Sequence, residues 1–157
     1  MSAMTVHLGD DDTRVDVDGQ HHIIPLGVVN LRKSELVSDP PRPEELTNAI
    51  GLVTDYLDDM LREIPAAADS DEVAVVGNTA IAIAAVEVGG TPSLPLSLTR
   101  AAVEEVFRTV ATESAAERAF NPGLPPDAVD TIVAACCIVV AVMRYLHRDA
   151  VDVGSPE

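Results

Sequence analysis

The most demanding segment of this sequence is Ala128–His147, which is apolar on nearly every face. A helix at a protein surface keeps one polar stripe. This one keeps none, so its neighbours must cover it all round. Its apolar centre, Ile132–Met143, is too short to cross a bilayer and is assigned to the interior of a globular domain. That interior has to be aliphatic: hydrophobic residues make up 47% of the chain, aromatics 3%, and there is no Trp. At 157 residues the chain can bury one such core, and 1–157 is read as a single domain.

The layers around that helix can be read in chain order. Thr5–Leu8 and Thr13–Val17 are short β-like runs joined by G-D-D-D, and Asp18-Gly19 is a hairpin signal leading into a third strand, H-H-I-I-P-L-G. Val28–Leu36 suits a short helix, closed by S-D-P-P-R-P. Glu44–Ile64 then carries Leu46, Ala49, Ile50, Val53, Leu57, Met60, Leu61 and Ile64 at three- and four-residue steps. Pro43 suits its first turn and Pro65 ends it. Glu72–Val76 predicts a buried strand and Thr79–Val88 a helix of small residues. A G-G-T-P-S-L-P loop follows. Ser97 or Thr99 would cap the next helix, with Val103, Val106, Phe107 and Val110 on one face. Ser114–Glu117 fits a capping box, and N-P-G-L-P-P-D separates it from the last helix. The order predicts an α/β domain whose mixed sheet opens with a three-strand meander and holds one later buried strand.

Charge narrows the partners. The formal net charge is −16, with one Lys and nine Arg. Such a surface repels nucleic acid and anionic membranes, and neither is expected as a partner. A local phosphate site built from backbone N–H groups stays possible. Adjacent Cys136 and Cys137 cannot easily form a disulfide and lack the neighbours of a metal site, so they are read as buried thiols. They suit a reducing cytoplasm, the expected location. No signal peptide is visible in M-S-A-M-T-V-H-L.

Few residues invite chemistry. Asp10, Asp11 and Asp12 suggest a metal, yet the nearest calcium-loop register has Arg14 in the first ligand position and Pro25 where Glu belongs. A solvated turn accounts for them better. His7, His21, His22 and His147 lack zinc spacing, and His21 and His22 would point to opposite faces of a strand. No nucleophile elbow or P-loop is present. The remaining candidate is Gly77, Asn78 and Thr79, where an apolar strand meets a helix. Free N–H groups there face one spot beside the positive end of the helix dipole. The same corner also serves any strand that needs a tight turn.

Several segments together resemble the exopolyphosphatase / guanosine pentaphosphate phosphohydrolase family. V-A-V-V-G-N-T-A-I-A-I-A-A-V-E-V-G is similar to its G-G-T-A-T-T-L-A-A-L-E-L-G segment. His21–Leu46 resembles its "slplGavrLte…dpp…eel" stretch, and Leu98–Leu146 its "eeR..ipGl.p.RaDvI" stretch, in the same order. The resemblance implies one actin-like (ribonuclease H-like) lobe, the second of two that enclose phosphate, metal and nucleotide. It also implies departures. The glycine motif D-I-G-G-G-S-T-E is expected at or before Met1–Thr5, which reads M-S-A-M-T. Asn78 replaces the second Gly of G-G-T, Ala128 an Arg and Ala135 a Gly. The first lobe with its acid–base glutamate, and a later S-x-x-G-L-R-E-G stretch, have no match.

The expectation is therefore a non-catalytic module that binds phosphate, polyphosphate or a guanosine nucleotide at Gly77, Asn78 and Thr79, or that binds a protein. No catalytic or metal-ligating residue is assigned. Apolar surface left by a missing lobe predicts a homo-oligomer or a protein partner. The alternative is hydrolysis with Mg²⁺ after assembly with a separate first lobe, or as a dimer.

Overall fold

The computed structural model describes residues 2–154. Strand β1 (Ser2–Leu8) pairs antiparallel with β2 (Thr13–Val17), and β2 with β3 (Gln20–Ile24), which gives the expected meander. Asp18 and Gly19 both take positive φ, 49° and 82°, as a tight Asp-Gly hairpin requires. Helices α1 (Val28–Glu35) and α2 (Pro43–Glu63) lead to β4 (Ser70–Val76), parallel to β1. Helix α3 (Asn78–Val88) follows.

Two further strands were not foreseen. Leu96–Thr99, read only as loop and cap, is β5, and Ala150–Val153 is β6. Both have four residues, too few for alternation to stand out. Strand β6 lies parallel to β4 and antiparallel to β5, so the sheet runs β3-β2-β1-β4-β6-β5. Thr99 does cap α4 (Arg100–Ala111), accepting from the Ala102 N–H at 3.1 Å. The Ser114 capping box starts the one-turn helix α5 (Ala115–Arg118). The final helix α6 (Ile132–Tyr145) begins later than expected, because Pro126–Ala128 forms a 3₁₀ turn.

Helix α6 is buried from Ile132 to Met143 and packs against α1, α2, α3 and α4. Cys136 and Cys137 lie within it; burial holds both thiols well above their usual range, Cys137 at about 12. Val53 and Leu57 of α2 and Ile138 and Val142 of α6 meet Val6, Val15 and Ile24 of the sheet. Strands β1, β4 and β6 are parallel neighbours, so both crossovers run the same way across the sheet. Right-handed crossovers of that kind lie on one face. Exposure agrees: Met4, Val6, Leu8, Val73, Val75, Val151 and Val153 are buried, while alternate residues are partly or fully exposed. Among the described residues, no helix is long and apolar enough to cross a membrane.

Candidate functional site

The parallel strands β1, β4 and β6 all point their C-terminal ends at one edge of the sheet. In open α/β sheets that edge is where ligands bind. Three connections meet there: the β1–β2 turn Gly9–Asp12, the β4–α3 corner at Gly77, and Gly154 after β6, whose N–H donates to the Val75 carbonyl at 3.1 Å.

Gly77 is required by its geometry. Its φ is +121°, and a Cβ would lie 2.7 Å from the Leu8 carbonyl oxygen. The β4–α3 corner therefore packs directly on the end of β1. Helix α3 starts at Asn78 with no side-chain cap, so its first N–H groups face the edge without a partner from a capping residue. Asn78 is exposed. The Thr79 Oγ1 is buried and has no hydrogen-bond partner. The three residues singled out from sequence thus stand together at one helix N-terminus, beside a second turn.

That second turn was not singled out as part of a site. Gly9 N–H donates to the Asp12 carbonyl at 3.0 Å and closes it. The turn's own carbonyls take up the N-terminus of α1: Val28 N–H reaches Gly9 at 2.9 Å and Val29 N–H reaches Asp10 at 2.8 Å. Asn30 Nδ2 donates to Asp11 at 2.8 Å, and its Oδ1 accepts from Gly27 N–H at 2.7 Å. Gly27 sits so close that a Cβ would come 2.4 Å from Asp10 backbone. Residues from Ser2 to Thr5 are strand, and the glycine turn that ends β1 is Gly9–Asp12. Met1 lies outside the described residues.

Asp10, Asp11 and Asp12 are exposed, as a solvated turn predicts. They bring negative charge beside Gly77. Among the described residues, no group of three or more His, Cys, Asp or Glu side chains is placed to hold a metal ion.

The histidines differ from their reading as isolated residues. His21 and His22 do point to opposite faces, but His7 and His21 converge on Asp16. His7 Nε2 lies 2.9 Å from one Asp16 oxygen, and His21 Nδ1 is hydrogen-bonded to the other. Arg14 Nη2 is 3.2 Å from the same carboxylate. Partial burial pushes the Asp16 carboxyl up, but the bonds from His21 and His7 and the Arg14 charge outweigh it and leave it more acidic than usual. The signal was the strand register, since Asp16 pairs across from His21 and lies diagonal to His7. His22 turns the other way, to Glu63 at 2.7 Å.

No protein-family model matches this sequence, and no curated protein sequence does either. Among solved structures, the chain is similar to the Aquifex aeolicus Ppx/GppA phosphatase, type II variant. The TM-score is 0.84 at 19% identity, over 98% of this chain and 53% of that one. It is similar to an exopolyphosphatase-like protein with TM-score 0.90 and 16% identity, over 98% and 55%. An exopolyphosphatase from Cytophaga hutchinsonii gives 0.76 and 15%, over 98% and 53%. The chain spans about half the length of these structures. At such identities the likeness is one of fold, and the resemblance read from sequence agrees with it: the chain has the α/β fold of a single actin-like lobe, as in Ppx/GppA exopolyphosphatase structures.

Proposed function

We propose that this chain is a non-catalytic phosphate- or nucleotide-binding module whose site is Gly77, Asn78 and Thr79. The observation that carries the reading is the uncapped N-terminus of α3 at the C-terminal edge of three parallel strands, with Gly77 at a φ of +121°. N–H groups at such a terminus can receive phosphate oxygens without any basic side chain, which suits a chain of charge −16. The ligand class follows from the resemblance: inorganic phosphate, polyphosphate or a guanosine nucleotide. The adjacent aspartates favour a ligand that approaches by its terminal phosphate rather than one lying along the turn.

The alternative, hydrolysis after assembly with a separate first lobe or as a dimer, draws on the half-length match to phosphatase structures.

Phosphate release from polyphosphate and from guanosine pentaphosphate, with and without Mg²⁺, separates the two. The expected result is no release together with a thermal shift on adding ligand, lost in Gly77→Val. Turnover that collapses in Gly77→Val would overturn the non-catalytic reading. Absence of any thermal shift would remove the binding role.

A further inference from the structure

The buried Arg118 does not satisfy all its donors inside the fold. Its Nε and Nη1 reach the carbonyls of Val129, Val110 and Glu113. Its Nη2 makes no hydrogen bond among the described residues, and the Asp39 carboxylate it faces stands 4.0 Å away. A buried Arg fork with one donor unmatched is ready for an acceptor from outside. Arg118 lines a cavity of about 80 Å³ among the helices, between α1, the connection from α1 to α2, α5 and the start of α6. One water needs roughly 10–15 Å³ of such space, so the cavity admits a small organic molecule. Arg32, Asp39 and Asp130 stand in its wall with Arg118. The side chains of Arg32 and Asp130 make no hydrogen bond or ion pair among the described residues. Leu36, Val37 and Val133 make the wall partly aliphatic, and Val37 is 71% exposed.

We propose that this cavity binds a small zwitterion of the α-amino-acid class. The carboxylate takes Nη2 of Arg118 and the Arg32 guanidinium, the ammonium takes Asp39 and Asp130, and the side chain lies against Val37. The balance of charge selects this class. A bare anion would enter beside Asp39 and Asp130, with Glu113 adding its field at Arg118. A bare cation would enter beside two guanidiniums. A molecule carrying both charges answers both pairs through charge-assisted hydrogen bonds. Arg32 also acts on Arg118 as a like charge, which an incoming carboxylate relieves. Cover for Val37 favours an aliphatic side chain over a polar one. The cavity shares no residue with the Gly77 corner and does not depend on the phosphate reading.

The probe is L-valine, compared with isovalerate and isobutylamine, which are valine without its ammonium and without its carboxylate. Each is titrated into ¹⁵N-labelled protein and followed by NMR. Arg118 Nε–H, held by the Val129 carbonyl, supplies a side-chain signal at the site. Valine is expected to shift this signal and the Ser38 and Asp39 amides saturably, with each single-charge analogue binding at least about tenfold more weakly. Arg32→Gln and Asp130→Asn, both at exposed positions, should each weaken valine binding by a similar factor while circular dichroism shows them folded. Absence of saturable shifts at tens of millimolar valine would overturn the proposal. So would isovalerate or isobutylamine binding as tightly as valine, or folded Arg32→Gln and Asp130→Asn chains that bind valine unchanged.

Discussion

Gly77 answers to two constraints at once: a backbone conformation that L side chains rarely adopt, and the Leu8 carbonyl where a Cβ would be. Gly77→Ala is therefore expected to cost about 2–3 kcal/mol and lower the melting temperature by several degrees. Thermal unfolding checks this, and an unchanged Tm would mean that the corner is not held as described. Arg118 is a structural counterpart. It is 6% exposed and donates to the carbonyls of Val110, Glu113 and Val129 at 3.1, 2.8 and 3.0 Å. It ties the end of α4 to the 3₁₀ turn before α6. Arg118→Met would remove all three of these bonds and is expected to cost about 3 kcal/mol by urea unfolding. The two residues were unequally legible. A strand, a Gly and a helix in sequence announce Gly77. Arg118 sits in an ordinary capping-box segment, and only the fold shows that three carbonyls surround it.

At the scale of elements, Glu104 joins two helices that meet only in the fold. Its Oε1 accepts from Arg144 Nη2 at 2.5 Å and its Oε2 from Arg100 Nε at 3.2 Å, so α6 is pinned to α4. The bond from Arg144 outweighs partial burial and holds the Glu104 carboxyl below its ordinary value of 4.5. As pH falls, the unfolded chain takes up this proton before the folded one. The stabilisation is whole above about pH 4.5 and is lost as pH drops through the lower folded value. Glu104→Gln is expected to cost about 1 kcal/mol at pH 7 and to flatten the fall in stability on acidification. Unfolding curves at several pH values test it, and an unaltered pH profile would count against the bridge. The long helices were readable because α2 repeats its apolar residues over 21 positions and α6 is apolar from Ile132 to Met143. Strands β5 and β6 were not. Their burial depends on β4 and on each other, which no window of four residues contains.

For the whole molecule, the arrangement follows from where the parallel strands end and which face the crossovers cover. The meander, the later strand β4 and the covered helix were legible, and they fix the lobe. The position of Gly77–Thr79 at a helix start was legible too. The Gly9–Asp12 turn was legible as the link between two strands, but not as the neighbour of Gly77. Long-range packing of Gly27 on Asp10 and of Gly77 on Leu8 defines that turn, and neither contact is local. The central claim is that phosphate is received by the N–H groups opening α3. It is tested most directly by titrating ¹⁵N-labelled protein with tripolyphosphate and with guanosine pentaphosphate while following each amide by NMR. The account expects saturable shifts centred on Asn78, Thr79 and Ala80 and absent in Gly77→Val. Shifts centred elsewhere, or none at saturating ligand, would contradict it.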